Sequence, residues 1–258
     1  MMQTFITTSW DDGHPLDGRI ADMLSKHNLT GTFYIPRRIE TGVMSEARIR
    51  ELAGSFEIGA HTLNHVFLSG ATDSDAREEI VGSKKWVEEV TAQPCSMFCP
   101  PAGKFHARHL AMFREAGYAG IRSVELMSLD WPRWKDGVLQ MPTTLQSFPH
   151  PATAYLRNFA KRWAIRNFWL YKAVGSPRDW PTLSRRLLER AAASGGVFHL
   201  WGHSWEIESA SQWVQLEEVL RLLGEFVAAK KAQCLTNGQL CQRVRDGAVG
   251  ARRSNAAA

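Results

Sequence analysis

Two rhythms of hydrophobic and polar positions alternate along the chain. Short runs crowded with β-branched and aromatic residues predict strands: "TFITTSW" (4–10), "GTFYIP" (31–36), "FEIGAH" (56–61), "CSMFCPP" (95–101) and "YAGIRSV" (118–124). Between them lie longer stretches whose apolar residues recur every three or four positions, which predicts helices: "LDGRIADMLSKHN" (16–28), "SEARIRELA" (45–53), "DSDAREEIVGSKKWVEEVT" (73–91) and "HARHLAMFREAG" (106–117). Ser45 is placed to cap the second helix, and Gly117 stops the fourth. At least five strands, each followed by a helix or loop, predict an α/β fold with a parallel sheet, closed as a barrel or doubly wound.

The rhythm breaks between about 126 and 181, where tryptophans and basic residues mix in "YLRNFAKRWAIRNFWLYKAVGSPRDW". This reads as an aromatic and basic insertion over a barrel mouth. Regularity returns with a helix over 182–194, a strand over 195–203, a helix over 210–231 and a short helix opened by Asn237. One domain over 1–246 is therefore expected, followed by a frayed tail over 247–258. The 44% hydrophobic content of 258 residues is enough for a substantial core. A net charge of +5 favours an anionic partner, but the basic residues form no long run of the kind that binds nucleic acid. Cys95, Cys99, Cys234 and Cys241 have no zinc-ribbon spacing and read as buried thiols. Neither a secretory signal nor an apolar run long enough to span a bilayer is evident. A cytoplasmic protein, peripheral to the inner membrane through its 155–180 segment, is the expectation.

Polar clusters fall at predicted strand ends: "SWDDGHP", "GAHTLNH" and "HLWGHSWE". In a parallel barrel the carboxyl ends of all strands meet at one face, so these clusters are expected to converge. His61 and His65 have the spacing of two imidazoles on one side of a helical turn, which suits a divalent metal. With an upstream carboxylate they would make a two-histidine, one-aspartate site that leaves a position open for water. Alone, an Asp-Asp-Gly after a strand is ordinarily a turn or a helix cap. His14, His27, His106, His109 and His150 lack comparable company and read as surface or capping residues.

"TTSWDDG", "HTLNH", "FCPPAG" and a histidine on the last strand resemble, in order and approximate spacing, the motifs of the polysaccharide deacetylase family, the NodB-like carbohydrate esterases of family 4. The resemblance spans roughly residues 4–206. It implies a distorted (β/α) barrel and a metal-dependent N-deacetylase, a hydrolase that removes acetyl from an N-acetylated sugar. It also implies Asp11 as general base and Asp12, His61 and His65 as metal ligands, with zinc ahead of cobalt or nickel. The Ala102 N–H would face the oxyanion, and a histidine of the last motif would be the general acid. His203 is preferred because it lies nearer the strand end and because "GHSWE" looks like the "HPWE" signature of some relatives. His199 is then a supporting or core residue. Pro101, Gly103, Trp201 and Trp205 are expected to touch substrate. "SLDWP", with Asp130 and Trp131, loosely resembles the fourth motif.

The chain departs from the family at Cys99, where relatives usually carry an arginine that orients the base; Arg122, near the end of the next strand, is expected to substitute. The expected substrate is a polysaccharide, a lipopolysaccharide or O-antigen, or a lipid- or nucleotide-linked precursor. The rival readings are a non-catalytic carbohydrate-binding relative and a hydrolase of small cyclic amides. Oligomeric state is not legible.

Overall fold

The computed structural model describes residues 3–249. Its strands are β1 (Thr4–Asp11), β2 (Thr32–Ile35), β3 (Glu57–Ala60), β4 (Met97–Phe98), β5 (Gly120–Arg122), β6 (Arg133–Lys135), β7 (Val138–Met141), β8 (Leu145–Gln146), β9 (Gly196–Gly202) and β10 (Gln233–Cys234). The helices are α1 (Asp17–Lys26), α2 (Glu46–Ala53), α3 (Asp73–Thr91), α4 (His109–Glu115), α5 (Ala152–Arg162), α6 (Ile165–Ala173), α7 (Trp180–Ser194), α8 (Ser204–Ser209), α9 (Trp213–Ala228) and α10 (Asn237–Arg245). All the strands share one sheet in the order β6-β7-β5-β4-β3-β2-β1-β9-β8, with β10 paired to the start of β1. Every pairing is parallel except β6 with β7.

Connectivity forces this sheet to curl. From β7 to β8 the sheet order takes seven steps, which laid flat would span about 34 Å at about 4.8 Å each. Met141 and Leu145 are consecutive strand ends joined by only three residues, a reach of at most about 14 Å. The sheet must bend round until its two sides nearly meet.

Alternation along the strands then sorts side chains into two buried layers. Phe5, Met97, Leu139 and Val197 point inward and pack with Leu240, Cys241 and Val244 of α10, which plugs the amino-terminal end. Their neighbours Ile6, Phe98, Val138 and Phe198 point outward under the helices. Both faces of the sheet are covered, which is why its strands read as near-continuous apolar runs. The inward parity carries on toward the carboxyl ends: from Phe5 to Asp11 on β1, from Met97 to Cys99 past β4, and from Val197 to His199 on β9. The barrel interior is thus apolar at one end and ionic at the other.

The strands and helices expected over 4–124 and 182–231 are present, with ends shifted by a few residues. The middle differs. Residues 133–146 are strands β6, β7 and β8 of the barrel sheet, and the helical addition is confined to α5 and α6. These short strands of two to four residues carry too little alternation to be seen in sequence. The last helix begins at Asn237, as expected, and is capped by Thr236: the Thr236 hydroxyl accepts the Gln239 N–H at 3.2 Å, and the Gln239 side chain accepts the Thr236 N–H at 3.0 Å. The tail expected over 247–258 begins with an ordered turn in which Val249 is buried against the inner cluster; from residue 250 it lies outside the described residues. The four cysteines are free thiols, all buried except the partly buried Cys234.

Candidate active site

Strand β1 ends on Asp11, and the backbone reverses at once through Asp12 (φ 80°) and Gly13 (φ 63°). Only glycine suits the second position, because a Cβ there would sit 2.5 Å from Ile35 Cγ2. The turn rotates the two adjacent carboxylates into different tasks. Asp11 points into the barrel; Asp12 lies across its rim toward the segment after β3.

That segment holds His61 and His65, and it is not the helical turn their spacing suggested. Thr62 (φ 61°) and His65 (φ 53°) adopt left-handed conformations, rare and costly for a β-branched residue. Thr62 pins the loop by donating to the His61 carbonyl at 2.6 Å and accepting the Val66 N–H at 3.2 Å. The result brings both imidazoles to one carboxylate: His61 Nε2 and His65 Nε2 lie 3.4 and 3.2 Å from Asp12 Oδ1. The Nδ1 of His61 donates to the Cys99 carbonyl at 2.6 Å, which leaves its Nε2 as an acceptor.

Helix α3 supports this loop from behind. Glu79, buried, accepts the N–H groups of Leu63 (2.7 Å) and Asn64 (3.0 Å) and the side-chain amide of Asn64 (2.6 Å). One turn along, Gly82 gives Leu63 room, since a Cβ there would meet Leu63 Cδ1 at 2.5 Å. A glycine in the middle of an otherwise strong helix is the sequence signal for this docking.

Inside the barrel, the Arg122 guanidinium, fully buried at the end of β5, forms an ion pair with Asp11 Oδ2. Cys99 Sγ lies 3.8 Å from the same oxygen. Arg122 is stacked between Trp201, 4.6 Å from its ring centroid, and Tyr34 at 5.5 Å. Burial alone would raise the Asp11 carboxyl, but Arg122, His61 and His203 outweigh it and hold it below the usual carboxylate range. For Asp12 burial again opposes, and the neighbouring imidazoles of His61, His65 and His203 outweigh it, so it too is held low. Both carboxylates are ionised, and each has one engaged oxygen and one free. Asp12 Oδ2 accepts the Trp205 indole N–H at 2.9 Å, while Asp11 Oδ1 and Asp12 Oδ1 are buried without a hydrogen-bond partner.

The residues present fit a divalent cation. Asp12 Oδ1, His61 Nε2 and His65 Nε2 form a cluster whose ligand atoms lie within 4.8 Å of one another. The orphaned carboxylate oxygen is one of its three ligand atoms, and the donor set of two imidazoles and one carboxylate suits zinc.

His203 follows β9, with Nε2 3.9 Å from both Asp11 Oδ2 and Asp12 Oδ2. Its Nδ1 donates to Glu206 Oε2 at 2.5 Å, and the same oxygen accepts Gln146 Nε2 at 2.7 Å. Burial disfavours a charged imidazole, but the hydrogen bond it donates to Glu206 and the Asp11 and Asp12 carboxylates prevail and raise His203 to about 9. His199 is buried, bonded to Ser9 Oγ at 2.9 Å and lowered to about 3 by burial and by Arg122, so it is a neutral core group. Ser204 donates to Asp17, whose carboxyl burial pushes well above its usual range, and this bond ties the start of α1 to the turn after His203.

Other expectations fare differently. Ala102 is exposed and left-handed (φ 52°), and its neighbours Gly103 and Lys104 have their N–H groups engaged by Pro100 and Pro101. Pro101 and Trp201 are buried, so neither presents a face to substrate, and Gly103 packs on Val124. Trp205 has its N–H committed to Asp12. Asp130 pairs with Arg133 and Arg166, and Trp131 packs on Phe5 at the opposite end of the barrel. The carboxylate that engages His203 is Glu206, three residues on in "HSWE".

Residues 2–121 match the family model for polysaccharide deacetylases. Over that stretch the chain is similar to the polysaccharide deacetylase family. A peptidoglycan-N-acetylglucosamine deacetylase of Bacillus cereus is 28% identical over 119 residues, 45% of this chain and 54% of the relative, so the match spans about half of that protein. A solved structure from Mycobacterium smegmatis, described as a polysaccharide deacetylase, shares the fold with a TM-score of 0.68 at 15% identity, over 97% of this chain and 93% of that one. A family 4 carbohydrate esterase from Bacillus anthracis gives 0.54 at 16% identity over 93% and 83% of the two chains. A family 4 pseudoenzyme from the same organism gives 0.53 at 14% identity over 93% and 66%. Likeness of fold therefore does not decide whether this chain turns over a substrate; its side chains must.

Because Glu79 fixes the loop rather than touching the cation, Glu79→Ala is expected to weaken zinc binding about 10- to 100-fold. Calorimetric titration of the metal-free protein, with its melting transition recorded alongside, reads this; wild-type affinity in the variant would remove Glu79 from the account.

Proposed function

We propose that the chain is a metal-dependent hydrolase that removes the acetyl group from an N-acetylated sugar. The observation that carries this reading is the pair of ionised carboxylates, each with one free buried oxygen, beside a histidine that holds its proton. Asp12, His61 and His65 would hold a divalent cation, which when bound supplies Lewis acidity to the reacting amide. Zinc suits the ligands, and cobalt or nickel accept the same set.

The remaining steps belong to the chain's own groups. Asp11 Oδ1 takes a proton from the attacking water, while Arg122 keeps the carboxylate ionised and aimed. The water oxygen bonds to the acyl carbon, and the carbonyl oxygen gains charge that the Ala102 N–H would stabilise by donating a hydrogen bond, a contribution on the order of 3 kcal/mol. His203 Nε2 then passes its proton to the nitrogen as the C–N bond breaks. Acetate and a free amine leave. Arg122 supplies to Asp11 what an arginine at position 99 would, so Cys99 does not argue for a non-catalytic binder.

For the substrate we infer a glycan or its lipid- or nucleotide-linked precursor, such as a lipopolysaccharide or O-antigen intermediate. The partly exposed His65 and His203, 26% and 18% of whose side-chain surface is open, support access by a bulky sugar. Acetate release from N-acetylated nucleotide sugars, lipid-linked glycans and peptidoglycan fragments, with zinc or cobalt supplied, is the direct test. Release from at least one class, abolished by His61→Ala, is expected; glycan binding without acetate would mark a binding protein.

The Glu206 carboxylate raises His203, so its loss lowers the pH at which the imidazolium gives up its proton. Glu206→Gln should therefore move the alkaline limb of the kcat profile to lower pH. An unmoved limb would show that Glu206 does not act on the acid.

A further inference from the structure

Helices α5 and α6 form a hairpin with two unlike faces. Its inner face holds Tyr155, Phe159 and Tyr171, all buried, with Tyr155 and Tyr171 rings 5.3 Å apart. Two asparagines fasten it to the segment after β5: Asn158 donates to the Val124 carbonyl (3.1 Å) and Asn167 to the Leu126 carbonyl (2.7 Å). The opposite side carries Leu156, Trp163, Ile165 and Trp169, which are 45%, 92%, 68% and 63% exposed. Ile165 and Trp169 are four apart on one face of α6, and Trp163 is the left-handed residue (φ 53°) that joins the two helices. An indole nine-tenths in water is a large unburied apolar surface, and here it has three apolar companions.

Charge identifies what covers it. From 137 to 178 the sequence has six basic residues and no acidic one, and so accounts for more than the whole net charge of +5. Arg157, Lys161 and Lys172 are exposed around the apolar ridge, whereas Arg166 turns back to Asp130 at 3.5 Å. Tryptophan with an aliphatic ridge, ringed by cations, is complementary to an anionic lipid surface, where indoles settle at the headgroup boundary. A protein partner would need an acidic or shape-matched counterpart, for which a ridge whose polar groups are two indole N–H donors offers little. The helices, at 11 and 9 residues, are far too short to cross a bilayer. We propose that this hairpin is a peripheral docking surface for membranes rich in anionic phospholipid. The proposal does not depend on the reaction assigned to the barrel.

Flotation of the full chain with phosphatidylcholine vesicles, and with vesicles of phosphatidylcholine and phosphatidylglycerol, tests it without any activity measurement. The chain is expected to float with the anionic vesicles at least ten times more than with the neutral ones, and to be released by high salt. Trp163→Ala with Trp169→Ala should lower flotation at least tenfold with an unchanged melting temperature, because both side chains stand in water. Lys161→Glu with Lys172→Glu should lower it on the anionic vesicles without any change to the apolar ridge. Absence of flotation, or equal flotation of the tryptophan variant, overturns the proposal. So does concentration-dependent self-association of the wild type that the tryptophan substitutions abolish without a vesicle effect, since the occupant would then be a second copy.

Discussion

The ion pair between Arg122 and Asp11 is the constraint around which the site is built. Both groups are almost wholly out of water, and Arg122 leaves its Nε and one terminal nitrogen without partners. Such a pair is not there for stability: desolvation costs several kcal/mol per ion, and well-packed apolar residues would serve the barrel as well or better. What the pair does achieve is to occupy one oxygen of Asp11 and leave the other free while keeping the carboxyl ionised. Trp205 repeats the device on Asp12 with an uncharged donor. Each neighbouring aspartate is thus held by one oxygen and works with the other, and only the turn at Asp12 and Gly13 lets adjacent residues do so in different directions.

The barrel makes that arrangement affordable to the fold. Its amino-terminal end is packed with apolar side chains and closed by α10, so the polar carboxyl end can carry strain. Left-handed backbone at Asp12, Thr62, His65 and Ala102 costs on the order of 1–3 kcal/mol at each residue. Each is over-determined by something behind it: Ile35 under the turn, Glu79 and Thr62 Oγ1 under the histidine loop, and the Pro100 and Pro101 carbonyls under Ala102. The chemistry sits on loops, but the loops are tied to strands and a helix by buried hydrogen bonds.

Much of this was legible in the sequence because strand parity and strand ends are local properties. Asp11, Cys99 and His199 share the inward parity of Phe5, Met97 and Val197, and Arg122 ends the strand beside β4, so its reach to Asp11 could be inferred from position. What could not be read was anything set by tertiary packing. The His61 and His65 spacing fits a helix, and only the docking of Leu63 and Asn64 onto Glu79 and Gly82 turns it into a left-handed loop. Trp201 and Trp205 look like sugar platforms until the fold stacks one on Arg122 and bonds the other to Asp12. Strands β6 to β8 are too short to show a period, so the part of the barrel they form was read as insertion, while the amphipathic hairpin beside them was recognised by its composition.

The central claim is a division of labour between neighbouring carboxylates, and metal affinity measured beside turnover in Asp11→Asn and Asp12→Asn tests it most directly. The account predicts that Asp11→Asn binds zinc with near wild-type affinity yet releases no acetate, whereas Asp12→Asn loses both together. An Asp11→Asn protein that keeps its turnover, or one that loses its metal as fully as Asp12→Asn, would contradict it.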